Sequence, residues 1–206
     1  SNYLIEAGSN GQYFLSLSSR NQIKNTHLYS TLFIDEIKVS SMFNKTASRN
    51  QLGYNLGGSI TDVFIPYLSL GAEYTRVNPF VYSNLIPAQT YTSYNYSLGD
   101  WMGNNFDKAI LFAKYTPIAK LKLVARYQKI RKGGGGTIYE QYTAQPQPNF
   151  LFDYIKTRTD VFLQARYEYI NNIYLTSSLT LMQTKLANDA LIKDNTYQLG
   201  ISVGLP

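Results

Sequence analysis

Apolar and polar residues alternate along much of the chain. Leu52, Tyr54, Leu56 and Ile60 alternate with Gly53, Asn55, Gly57 and Ser59. Leu68, Leu70, Ala72 and Tyr74 alternate with Ser69, Gly71, Glu73 and Thr75. The stretches from Ala109 to Tyr115, Leu121 to Tyr127, Val161 to Tyr169, Ile173 to Leu181 and Tyr197 to Leu205 repeat the pattern. A period of two marks strands with one wet and one dry face. Nearer the start, Leu4 to Ala7 predicts a weak strand and Tyr13, Leu15 and Leu17 a clearer one. His27 to Val39 predicts a strand with two competing faces, and Ser40 to Asn50 a polar loop. The sum is an all-β chain of about ten strands, many near the roughly nine to eleven residues that cross a bilayer at a tilt.

The connections run long (78–106), short (116–119), long (132–156), short (171–172) and medium (186–195). Pro117 predicts a tight turn, Asn171-Asn172 a two-residue hairpin, and Asn188 to Asn195 a polar link. Short turns at one end and long loops at the other characterise membrane barrels. A soluble sandwich would instead bury the dry faces between two sheets. The expected fold is an antiparallel up-and-down transmembrane β-barrel. Residues 1–206 form one outer-membrane domain, incomplete at the N-terminus or part of a larger barrel. With loop 78–106 outside, ten strands return both termini to the periplasm.

Composition narrows the chemistry. Charged residues make up 16% of the 206 residues, below the usual quarter or so. Nineteen Tyr and ten Phe suit strands and interfaces. The absence of Cys excludes disulfides, thiolate metal sites and Cys nucleophiles. The single His, His27, leaves little imidazole chemistry. A net charge of +6 favours anionic partners. Its dispersal, with no block of like charges, argues against nucleic acid. No apolar run is long enough for a membrane helix, and no basic segment followed by an apolar one opens the chain. The start at Ser1-Asn2-Tyr3 reads as a mature end, a trimmed end or a fragment.

The stretch from Glu73 to Arg131 holds the candidate site. Between two strands it carries Tyr82, Tyr91, Tyr94, Asp100, Trp101, Asn104 and Asn105. Loops of that length are usually functional or disordered. Aromatic faces beside Asn and Asp suit the C–H patches and hydroxyls of a sugar. The plainer reading makes the aromatics an interfacial girdle and loop core. Lys122, Arg126 and Arg166 share the wet faces and point into the lumen, where they guide an acidic glycan or pair with Glu73, Asp160 and Glu168. Asp35 and Glu36 are adjacent on a strand and so face opposite ways, which rules them out as a close acid–base pair. His27 with Ser30 is too slight for a hydrolase. The run Gly133 to Gly136 lacks the Lys-Ser/Thr ending of a phosphate loop and reads as flexible. No catalytic residue, metal or cofactor is predicted.

Four segments together resemble the C-terminal part of the Wzi-type capsule assembly family of Gram-negative outer-membrane barrels. They are Phe33-Ile34-Asp35-Glu36-Ile37, the run from Glu73 to Tyr82, the run from Ser97 to Asn105, and the run from Tyr127 to Gly133. The resemblance implies a non-enzymatic protein that attaches or organises capsular polysaccharide at the cell surface. Its implied partners are surface polysaccharide, outer-membrane lipid and a larger membrane-protein assembly. Family members are larger, and a typical barrel ends in an aromatic residue, whereas this chain ends Gly204-Leu205-Pro206. The alternative is a porin-like channel or an accessory barrel of a secretion machine.

Overall fold

The computed structural model describes residues 11–19, 25–36, 51–62, 64–83, 92–93, 96–144 and 146–204. In chain order the elements are β1 (Gly11–Ser19), β2 (Thr26–Glu36), β3 (Gln51–Thr61), β4 (Leu68–Val77), β5 (Thr92–Ser93) and β6 (Tyr96–Ser97). There follow β7 (Phe106–Ile118), β8 (Leu121–Lys132), α1 (Ile138–Thr143), β9 (Lys156–Ile170), β10 (Ile173–Leu186) and β11 (Leu191–Val203). Nine strands form one antiparallel sheet in the order β1-β2-β3-β4-β7-β8-β9-β10-β11. The up-and-down all-β order expected from the alternation is therefore present. About ten long strands were expected and nine are described; Leu4 to Ala7 and Ser40 to Asn50 lie outside the described residues. β5 and β6 make a minimal hairpin inside the first long loop. Among the described residues, β1 pairs only with β2 and β11 only with β10.

Register carries the alternation across the sheet. Ile60, Leu70, Ala113, Ala125, Leu163, Leu179 and Tyr197 are successive cross-strand partners, a row with no polar residue other than the terminal tyrosine. No second sheet covers this face among the described residues, and Leu199 and Ile201 are 73% and 75% exposed. Toward the long loops the same face turns polar. Tyr54, Arg76, Asp107, Arg131, Thr157 and Lys185 form a row there. Asp107 accepts both Arg131 Nε at 2.9 Å and Tyr74 Oη at 3.1 Å.

The opposite face holds the polar set. Tyr29 and Glu73 meet there across β3, because the residue between them is Gly57. An added Cβ at Gly57 would stand 2.2 Å from Tyr29 Cζ. A glycine inside a strand here clears the way for a ring to reach two strands over.

Loops 78–105 and 133–155 leave the same end of the sheet, and turns 62–67, 119–120 and 171–172 the other. Two connections differ from expectation. β7 continues to Ile118, so Pro117 sits in a register irregularity inside the strand and the turn is Ala119-Lys120. Proline lacks an N–H for the ladder, and a bulge tolerates that. β11 begins at Leu191, so the expected link Asn188 to Asn195 shrinks to residues 187–190. The Asn171-Asn172 hairpin is as expected, with Asn172 at φ 65°.

Candidate functional site

The described residues of the first long loop pack on the loop end of the polar face. Phe33 of β2, Val77 at the end of β4, Val81 and Phe106 form a buried cluster, with Tyr82 and Met102 packed on it. Phe80 and Tyr82 hold φ 63° and φ 73°, a left-handed region that bulky residues rarely occupy. Packing fixes them there: the Tyr82 ring tilts against Phe33 at 5.1 Å, and Phe80 stacks on Phe152 of the second loop at 5.7 Å. The Tyr82 N–H donates to Asp35 Oδ2 at 2.7 Å, which ties the loop to β2.

Asn105 joins the two long loops. It is fully buried. Its Nδ2 donates to Gly134 O at 2.7 Å and Phe152 O at 3.1 Å, and its Oδ1 accepts from Leu151 N at 2.7 Å. Gly133 and Gly134, which begin the glycine run, pack against this clamp. The expectation of a plain flexible loop is corrected for the start of the run, where Gly133 is buried; Gly135 is exposed, and Gly136 adopts φ +67° beside Phe80. α1 follows, opened by a capping box in which Thr137 Oγ1 accepts from Glu140 N and Glu140 reaches back to Thr137 N. Its buried Gln141 donates to Ser83 O at 3.3 Å, a further stitch between the loops.

The expected ligand residues separate into groups. Trp101 stands 69% exposed at the loop surface. Asp100 beside it is engaged: Oδ1 accepts from Met102 N at 2.9 Å, and Oδ2 pairs with Lys108 Nζ at 3.3 Å. The Tyr82 ring lies over Gly99, where a Cβ would meet it at 2.4 Å. The Asn104 carbonyl accepts from Lys132 Nζ. Asn105 has its side-chain polar atoms committed to loop backbone and is a structural clamp. Tyr91 and Tyr94 lie outside the described residues.

Lys122, Arg126 and Arg166 are exposed on the polar face as the alternation predicts. Lys122 and Arg166 are direct cross-strand partners. Arg166 stacks on Tyr174 at 4.0 Å and Arg126 lies over Phe162 at 5.4 Å. The expected pairing with Glu73, Asp160 and Glu168 is not what forms. Glu73 accepts from Tyr29, Asp160 from Arg158 and Gln128, and Glu168 from Asn172 N.

A half-open pocket lies beneath the described part of the first loop. It measures about 310 Å³ and is lined by strand residues including Thr31, Asn55, Thr75 and Lys108, with Tyr82 and Asp100 above. Asn55 Nδ2 donates to Thr75 Oγ1 at 2.9 Å. Alternation alone does not single out these four strand residues. They are far apart in the chain and look like ordinary wet-face positions until register aligns them. Among the described residues no group of three or more His, Cys, Asp or Glu is arranged to hold a metal. The chain matches no protein-family model, no curated protein and no solved structure.

Proposed function

We propose that the chain is the wall of an outer-membrane barrel that attaches or organises surface polysaccharide without catalysis. One observation carries this reading: an apolar face continuous across neighbouring strands and, among the described residues, uncovered, backed by a polar face against whose loop end the first long loop packs. An apolar sheet surface of that extent needs a cover, and lipid is the cover that suits a band bounded by a polar, tyrosine-bearing row. The exposed Trp101, held beside an anchored Asp100, offers an aromatic platform with polar neighbours on the capped end. The four segments that resemble the capsule assembly family all contribute to that end. The barrel in this reading includes strands beyond the nine described.

The test uses cells that carry the chain with Asp100→Ala and Trp101→Ala together. Surface polysaccharide is expected to be released into the medium while the amount of inserted protein stays the same. Unchanged retention removes the attachment role. A steady ion conductance from the purified protein in planar bilayers, with retention unchanged, moves the reading to a channel.

A further inference from the structure

The space beneath the first loop has a floor built by register alone. Thr31, Asn55, Thr75 and Lys108 are successive partners across β2, β3, β4 and β7. Their side chains stand in one row on the polar face, and Tyr82 and Asp100 of the loop close over them. The row is balanced in charge but unbalanced in hydrogen bonding. Lys108 and Asp100 neutralise each other at 3.3 Å. Asn55 spends its amide N–H on Thr75, and its Oδ1 is buried with no partner. Buried amide oxygens are rarely left so. Turning the amide over exchanges an orphan acceptor for an orphan donor, so one polar atom stays open either way. Thr75 Oγ1, accepting from Asn55, keeps its own hydrogen to donate.

Three properties define what fits. The volume is at the small end of ligand pockets, which run from about 300 to 1,000 Å³, room for one ring within the pocket, with any linked rings lying outside its open mouth. The polar groups are of both kinds: the Asn55 amide oxygen and Asp100 accept, and Lys108 and the threonine hydroxyls donate. The tilted Tyr82 and Phe33 rings supply an apolar wall, suited to the C–H face of a ring. An acidic ligand gains little, because it must compete with Asp100 for Lys108.

We propose that this cavity is a subsite for a single neutral polyhydroxylated ring, one hexopyranose unit in size. The inference rests on the polysaccharide reading for the source of the ring and on the cavity for its chemistry. The bound ring lies against Tyr82 and the threonine hydroxyls, and the Asn55 side chain, whose Oδ1 is sealed off in the free chain, rotates to bring that oxygen to a ring hydroxyl.

The test titrates the full-length chain, folded in detergent micelles, with the methyl glycosides of glucose, galactose and mannose, and with glucuronate. Fluorescence of Trp101, the only tryptophan, reports occupancy next to Asp100. At least one neutral glycoside is expected to give a saturable change, and glucuronate to bind at least tenfold more weakly. Asn55→Leu is expected to weaken the neutral glycoside tenfold or more. Thr31→Val, which keeps shape and deletes one hydroxyl, should weaken it several-fold and serves alone if Asn55→Leu does not fold. No saturable change with any neutral glycoside overturns the subsite, as does parental affinity in the folded variants. A cavity that holds only water gives that result. The two readings fail separately. Glycoside binding in a chain that cells can lose without shedding polysaccharide leaves the subsite and removes the attachment role. Polysaccharide that depends on the chain while no glycoside binds does the reverse.

Discussion

At Gly133 an added Cβ would stand 2.4 Å from Asn105 Nδ2, 2.7 Å from Phe152 O and 2.8 Å from Leu151 Cα. Two of those three neighbours are backbone atoms and cannot swing aside. Gly135, two residues on, has nothing nearer than Asn104 Oδ1 at 3.9 Å. Gly133→Ala is therefore expected to destabilise the capped end by about 1–3 kcal/mol, as overpacking does. Gly135→Ala should stay within about 0.5 kcal/mol of the parent. Denaturant midpoints of the two variants measure the difference. Asn105→Ala strands Leu151 N–H and the Gly134 carbonyl, while Phe152 O keeps the Gly134 N–H, at about 1–3 kcal/mol. Its signature is faster hydrogen exchange at Leu151 than in the parent. None of this was legible in the run of four glycines, because sequence shows what glycine permits and not what approaches it. Asn105 misled for a related reason. An Asn in an aromatic loop looks like a ligand contact until its side-chain atoms are found bonded to the other loop.

Strand faces were the most legible feature. Period two assigns each residue to a face, and register then aligns faces across the sheet without further information. Period two puts Leu121, Leu123, Ala125, Val161, Leu163, Ala165, Leu199, Ile201 and Val203 on the dry faces of their strands, and register makes these one face. If lipid covers it, Leu163→Arg costs about 2–4 kcal/mol at mid-bilayer. Gln164→Arg, one residue along and on the polar face, should fold like the parent. Spin labels at Leu163 and Leu199 are expected to meet oxygen dissolved in lipid, and a label at Gln164 far less. The start of β11 was illegible because Lys193 and Asn195 occupy the apolar face near the loop end, where the row is polar anyway. α1 was missed although its signal was present: Thr137-Ile138-Tyr139-Glu140 is a capping box, hidden inside a stretch dominated by glycine and proline.

For the whole molecule, the division into a loop end and a turn end followed from connection lengths, whereas contacts between the loops did not. Tyr29 with Glu73, and Asn105 with Phe152, join residues that only the assembled sheet brings together. The absence of native cysteine allows a direct test of sidedness. A single Cys in place of Trp101 should react with a membrane-impermeant maleimide on intact cells. One in place of Asn171, in the turn between β9 and β10, should react only after the outer membrane is opened. Equal labelling of both on intact cells would remove the barrel orientation.

The two outermost strands lie eight antiparallel steps apart, and an even number of reversals restores direction. β1 and β11 therefore both point toward the turn end. Joined to each other they would make a parallel seam, with the slanted hydrogen bonds of parallel pairing. A second copy in the same orientation offers only edges of that direction and cannot make an antiparallel seam. An all-antiparallel ring through this sheet takes an odd number of additional strands. The first of them, beside β11, must run from the turn end to the loop end and keep its apolar residues in step with Tyr197, Leu199 and Ile201.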